Sequence, residues 1–347
     1  MSSDRPASQT EAANPGQPAT GSGTRPHWWL TVPLMLGGGA LIALQSQVNG
    51  ALAGRLGTGA RAATLAALLS FGSGLVLLVG LAVAHRPTGR GVLALRAAVL
   101  DRRVPPWLVL GGLGGAFFVV SQGLAAPSLG LTFFVLCFVA GQAVMALVVD
   151  HYGWGPNGAT ALSVARLTSA ALAVVAVGLS GAELLRAVPV TAVLLLLAAL
   201  PLFAGAVSSA QQGVNGRLAA LTGPWVTTLN NFLVGTAGLV VFFAVTLLLP
   251  GRLTGLPAEP ALYLGGLCGI GFIWAATVTV RIHGVLVVGV FAVAGQVLTA
   301  AAISLLVGPD RLGPATWLAV VVSLVGAAAV GLSQRTRTGS GTSAPLR

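Results

Sequence analysis

The sequence predicts an all-α integral membrane protein of ten membrane-spanning helices, arranged as two five-helix halves inserted in opposite orientations. Three observations carry that expectation. Only 7% of the 347 residues are charged and 55% are hydrophobic, whereas ordinary soluble domains carry about 25% charged residues. The apolar residues gather in stretches of about 20, the length a helix needs to cross a hydrocarbon core of roughly 30 Å. The second half of the chain also repeats the first.

The ten spans fall at about 29–50, 62–84, 107–126, 131–149, 163–180, 190–213, 226–249, 261–280, 285–307 and 314–333. Short joints such as "APSLG" (126–130) and "LTGP" (221–224) separate them, and Gly and Pro punctuate such turns. All eighteen basic residues are Arg. With the N-terminus in the cytoplasm, thirteen fall on the inner side and five (Arg55, Arg61, Arg186, Arg252, Arg311) on the outer side. This positive-inside bias places both termini in the cytoplasm and the protein in the plasma (inner) membrane of a bacterium. Five inner Arg lie in "HRPTGRGVLALRAAVLDRRVPP" (85–106), which reads as an amphipathic helix on the membrane surface. Residues 1–26, rich in Ser, Pro, Gly, Ala and Thr, read as a disordered tail without the apolar core of a signal peptide; residues 335–347 read as a second polar tail.

The repeats define the domains. Residues 110–150 lie over 264–304 at a constant offset of 154 without a gap, with "LGGL", Gly130/Gly284 and "VAGQ" coinciding. Upstream, "QSQVNG" (45–50) matches "QQGVNG" (211–216), and "SFGSG" (70–74) resembles "NFLVG" (231–235). Downstream, "GLS" closes both halves at 178–180 and 331–333. Residues 28–181 and 188–334 are therefore two copies of one unit. Five crossings per copy force the second to enter from the opposite side, giving an inverted pair. Such pairs are common in secondary transporters, which bind at the midplane between the repeats.

Together, "ALQSQVNGALAGRLG" (43–57), "SFGSG" and the run from "GGLGGAFFVV" to "GQAVMALVVDHYGW" (111–154) resemble the YdcZ family of the drug/metabolite transporter (DMT) superfamily. The resemblance covers roughly residues 30–334. It implies a DMT-like ten-helix fold with cytoplasmic termini and a cavity lined by the first, third and fourth helices of each half. Relatives in the superfamily export drugs, amino acids and other metabolites. Two departures stand out: Ser304 occupies the position matched to Asp150, and the first span has no deep acidic residue of the kind small multidrug exporters use for proton coupling.

Unpaired carboxamides are costly in hydrocarbon, so those within spans are the candidate cavity residues. Gln45 and Asn49 are spaced i, i+4 on one helix face, and Gln211 and Asn215 repeat that spacing. They read either as turn and helix-packing residues or as cavity lining. Gln142 and Gln296 each lie about eleven residues into a span, roughly 16 Å deep, and read as substrate or gate contacts or as interhelical bonds. Trp274, well inside its span, either packs the core or faces substrate. Asp150 and His151, adjacent at the inner end of span four, read as a proton-coupling pair or as interfacial groups. Arg281 and His283, in the very short joint after span eight, read as inner-surface anchors or as part of a gate. The glycines at 37–39, 111–115 and 265–269 read as helix-packing faces.

The expected function is a secondary-active transporter, not an enzyme, that exports a small organic metabolite or drug-like molecule by alternating access. No nucleophile elbow, acid pair or Cys/His metal spacing occurs; Cys137 and Cys268 lie in apolar runs, and neither cofactor nor metal is expected. The partners implied are the substrate, membrane lipids and a coupling proton or other ion, with a homodimer left open. The Arg are too scattered for nucleic acid. The alternatives are a lipid or lipid-linked flippase and a non-transporting scaffold or accessory subunit. Impermeant labelling should place residues 181–189 and the C-terminal tail on opposite membrane faces, because five crossings separate them; finding both on one face would overturn the inverted architecture.

Overall fold

In hydrocarbon every backbone N–H and C=O must be paired within its own segment, so apolar runs of this length fold as helices. The computed structural model describes residues 28–339 except 157, 160, 188 and 308–312; the expected tail at 1–26, the end of the C-terminal tail (340–347) and most of the 308–314 joint lie outside the described residues. The helices are α1 (Trp28–Leu56), α2 (Gly59–Ala84), α3 (Arg86–Leu100), α4 (Gly111–Leu129), α5 (Leu131–His151), α6 (Val164–Ala187), α7 (Ala192–Thr222), α8 (Pro224–Thr246), α9 (Gly265–Val307) and α10 (Pro314–Gly339). This is an all-α membrane protein. Among the described residues nine segments are long and apolar enough to cross a membrane, α9 supplying two of them; the apolar part of α10, Pro314–Ala329, is shorter.

Several boundaries differ from the sequence reading. Helices α1 and α7 run on past Asn49-Gly50 and Asn215-Gly216, so Asn-Gly does not begin a turn here. Intrahelical hydrogen bonds and close packing override the local turn preference. The stretch 335–339, expected to be tail, continues α10. Spans eight and nine, expected to be separated by a joint at 281–284, form one helical stretch. That stretch is not straight. Gly38 packs on Ala275, while the neighbouring Gly39 packs on the Ala292 backbone. In a straight helix those partners would be about 25 Å apart, so the chain turns back between them.

The core is built from helices at backbone contact, and the contacts come in matched sets. A Cβ on Gly39 would strike the Ala292 carbonyl oxygen, and one on Gly205 the Phe138 carbonyl oxygen. Likewise Gly295 abuts the Leu36 carbonyl and Gly141 the Leu202 carbonyl. Gly74 faces the Phe232 ring and Gly235 the Phe71 ring, and the two rings meet with centroids 4.9 Å apart. Each set follows the sequence offsets, with the halves exchanged. α1 packs on the α9 segments, and α7 packs on α4 and α5.

At one end, called the Arg55 end, the α1–α2 and α8–α9 connections are clipped together by a short antiparallel pair: β1 (Gly57–Thr58) on β2 (Arg252–Leu253). Arg61 donates to the carbonyls of Thr246, Leu247 and Gly251 there. At the opposite, Arg217 end, α3 lies in the 85–106 connection as expected. Leu95 buries against Leu218 and Val226, while Arg86, Arg90 and Arg96 remain exposed.

Gly141→Ala should lower stability by about 1–3 kcal/mol through forced separation of α5 from α7, despite a gain of up to ~1 kcal/mol in helix propensity. Gly72, where an added Cβ would meet nothing within 4 Å, should take Ala without loss. Thermal unfolding of the purified protein checks both.

Candidate functional site

Most of the in-span carboxamides are buried, and several of them form two networks. In the first, Asn49 Nδ2 donates to Gln122 Oε1 at 2.7 Å, and Gln122 Nε2 donates to Ser46 Oγ at 2.9 Å. Ser46 in turn donates to the Ile42 carbonyl. In the second, Gln211 Nε2 donates to Asn231 Oδ1 at 2.9 Å and Asn231 Nδ2 to Asn215 Oδ1 at 2.9 Å. Glycines make room for them. Gly265 sits over Asn49 and Gly269 over Gln45; Gly111 sits over Asn215 and Gly115 over Gln211. A side chain at any of these glycines would push an amide out of place.

Gln142 and Gln296 meet each other at the crossing of the two halves. Gln296 Nε2 donates to Gln142 Oε1 at 3.3 Å, which leaves Gln142 Nε2 and Gln296 Oε1 without a partner although both are buried. Trp274 stacks on Trp225 with centroids 5.5 Å apart, and its buried indole N–H also has no acceptor.

Two cavities lie on the path between the ends. At the Arg55 end a vestibule of about 870 Å³ is bordered by the C-terminal parts of α1, α6 and α9, the α4–α5 joint and the start of α10. Gln47, Ser128, Thr132 and Ser304 are on its wall, with Thr132 and Ser304 bonded at 2.9 Å. Glu183, also on the wall, accepts from the backbone N–H (2.8 Å) and hydroxyl (2.7 Å) of Thr316. It thereby caps α10, where a carboxylate suits the positive end of the helix dipole. Toward the Arg217 end a second cavity, about 40 Å³, is lined by Gln142, Arg166, Ser169, Ser209, Gln212 and Ser323 among apolar residues. On α5 the vestibule wall ends at Thr132–Phe133 and this cavity begins at Val139. The barrier is thus about 10 Å of helix, filled by Phe134, Phe138, Val297 and Ala300, all fully buried.

The Arg217 end is closed by charge. Asp150 Oδ2 lies 3.7 Å from Arg166 Nη1, with both side chains nearly buried. Arg217 donates to the carbonyls of Gly153 and Gly155, pinning the turn after α5 onto α7. His151, grouped with Asp150 in the sequence, is exposed and sets its ring edge-on to Tyr152. His283 bonds Thr31 Oγ1 at 2.9 Å, joining α9 to the start of α1, and Arg281 is exposed.

The structure therefore brings together Gln142 with Gln296, and Gln211 with Asn215, but it keeps Asn49 apart from the cavities. Residues that sequence reasoning did not single out carry much of the site: Gln122, Asn231, Gln212 and Arg166. The signal available was their residue type within an apolar span, where an amide or guanidinium is costly.

Packed apolar helices enclosing a one-sided vestibule, with polar groups buried along the path beyond it, are the construction of a multi-pass membrane transporter. The chain matches the family model described as "Putative inner membrane exporter, YdcZ" over residues 30–179 and 196–329, most of its length, and belongs to that family. A protein of known crystal structure superposes with a TM-score of 0.56 at 17% identity, covering 88% of this chain and 97% of that one; this likeness concerns the fold alone. No curated protein shows significant similarity to the chain.

Asn231 makes four hydrogen bonds. At ~0.6 kcal/mol for each such bond in a membrane protein, Asn231→Leu should cost about 2 kcal/mol. Gln47→Leu on the open vestibule wall should stay within about 0.5 kcal/mol. Denaturant unfolding in detergent distinguishes them.

Proposed function

We propose that the protein is a secondary-active exporter of a small organic molecule, working by alternating access between two inverted five-helix halves. On this reading ten crossings place both termini in the cytoplasm. The Arg55 end faces out, and α9 supplies spans eight and nine. The observation that carries the reading is the one-sided opening. A vestibule of about 870 Å³ reaches in from the Arg55 end, while the Arg217 end is held shut by the Asp150–Arg166 pair and the Arg217 clamp. The exchanged glycine contacts support inversion, because each half's hairpin rests on the other half's helix. Rocking one half against the other would open the second end and close the first.

The closures of the two ends differ in chemistry. Ser304 replaces Asp150 in the second copy, and its bond to Thr132 is neutral. The nearly buried ion pair latches the inner side, while the Arg55–Glu259 pair at the outer end is exposed and contributes little, and this biases the resting protein toward the outward-open state. Gln142 and Gln296 sit where the halves cross and are the substrate or gate contacts. The acid that would couple a proton is Asp150, with Arg166 rather than His151 as its charged neighbour. The lining of both cavities is mostly neutral, which suits uncharged or hydrophobic cargo; a strongly charged one would need counter-charges held in the membrane.

Flux assays in proteoliposomes across a metabolite panel test the activity. Gln142→Ala and Gln296→Ala should each lower a demonstrated flux by about tenfold, the effect of ~1.4 kcal/mol in the transport barrier; unaltered flux in both would remove them from the pathway. Arg166→Met should release the inner latch. Breaking a buried ion pair costs ~3–5 kcal/mol, more than the ~1.4 kcal/mol that shifts an equilibrium tenfold. A single cysteine at Ala146, placed in a background lacking Cys137 and Cys268, should therefore react at least ~10-fold faster with an impermeant maleimide applied from the Arg217 side. An unchanged rate would mean that the pair does not gate.

A further inference from the structure

We propose that Gln142, Gln212 and Ser323 form a binding site for a small uncharged molecule that presents a hydrogen-bond donor and acceptor side by side, as a carboxamide or lactam does, on a compact apolar body. The site deepens the transport reading by naming the chemistry of its cargo, and it rests on that reading only for the step from binding to flux.

Three of the nine buried polar atoms without a partner among the described residues line the inner cavity. Gln142 Nε2, Gln212 Oε1 and Ser323 Oγ all line it, and all three are buried atoms without a hydrogen-bond partner. Their side chains are 5%, 6% and 3% exposed. Buried polar groups in native proteins are nearly always paired, so three orphans around one cavity mark a place built to be completed by something else. The set offers an amide N–H, an amide C=O and a hydroxyl, and its complement carries an acceptor and a donor close together. The remaining wall is apolar: Val139, Ala143, Ala146, Ala170, Val290 and Val293.

The internal repeat shows why Gln212 is left over. It matches Ser46 of the first copy, at the offset that aligns "QSQVNG" with "QQGVNG". Ser46 is bonded by Gln122, but the residue matched to Gln122 at an offset of 154 is Ala276. Ala276 stands beside Gln212 across a small neighbouring cavity. The first copy pairs Ser46 with Gln122; at the matching place the second copy has lost the partner and kept the amide. The asymmetry confines the site to one side of the crossing.

Net charge excludes the ionic alternatives. Arg166, the cation on the wall, faces Asp150 at 3.7 Å, so a carboxylate would have to compete with a resident one. No acidic side chain lines the cavity to hold an ammonium. The volume of about 40 Å³ exceeds the ~10–15 Å³ needed for one water and suits a compact group.

The test uses the full-length protein in nanodiscs, with isobutyramide and 2-pyrrolidone as probes and isobutyrate and isobutylamine as charged counterparts, read by calorimetric titration. The amides should bind saturably and at least ~10-fold more tightly than either ion, since a site built to hydrogen-bond rejects a mismatched group strongly. Gln212→Leu and Ser323→Ala should each weaken amide binding by about tenfold while leaving the melting temperature unchanged or higher, because each removes an orphaned polar atom. That pairing separates loss of the site from loss of the fold. No saturable amide binding, or binding indifferent to both substitutions, overturns the proposal, and water is then the cavity's occupant. Flux that persists in both variants sinks the site while leaving transport intact; amide binding without flux of any probe or metabolite upholds the site and counts against transport.

Discussion

Contact between helix backbones, made possible by glycine, is the constraint on which the rest of the structure depends. Lipid tails are as apolar as leucine, so burying apolar surface gives helices little reason to associate within a bilayer; close packing must do so instead. Gly39, Gly141, Gly205 and Gly295 each bring a helix against a carbonyl of its neighbour. These four contacts set the crossing of α1 with α9 and of α7 with α5. Between them α5 and α9 meet, and there Gln142 reaches Gln296. The position of the central amides is therefore a consequence of how closely backbones approach, and not a separate feature.

The glycines at 111–115 and 265–269 serve a second purpose. By withholding side chains they leave room for the amides of α1 and α7 to lie between helices. Those amides then have to find partners, because hydrocarbon supplies none. On the first side Gln122 takes the Asn49 N–H and bonds Ser46, and on the second Asn231 joins Gln211 and Asn215. The two solutions use different residues from different helices, although the glycine contacts around them match in sequence offset. Gln212 falls outside both solutions.

The two ends are closed by different contacts. The nearly buried Asp150–Arg166 pair and the Arg217 clamp belong to one end, whereas the other has the strand clip, the Arg61 bonds to three carbonyls, an exposed Arg55–Glu259 pair and the neutral Thr132–Ser304 bond. A ligand or ion can shift a protein between two arrangements only through a difference in its interaction with each, and on the proposed reading the unlike closures of the two ends supply such a difference.

Much of this was legible in the sequence. Composition and run length dictate a helical membrane protein, because solvent, not local detail, decides whether a long apolar segment can exist. The glycines at 111–115 and 265–269, read as packing faces, do lie against neighbouring helices, whereas Gly205 carried no such signal. Element ends were less legible. Asn49-Gly50 has the composition of a turn, yet α1 runs through it to Leu56, since packing and intrahelical bonds outweigh a preference worth about 1 kcal/mol. The partners of polar groups were not legible at all. Asp150 adjoins His151 in the chain but faces Arg166 in space, and Gln122 lies 73 residues from the Asn49 it bonds. The residues at the crossing could be named from depth along a helix; what they touch is decided by rotation and tilt of neighbouring helices, which a linear pattern does not encode.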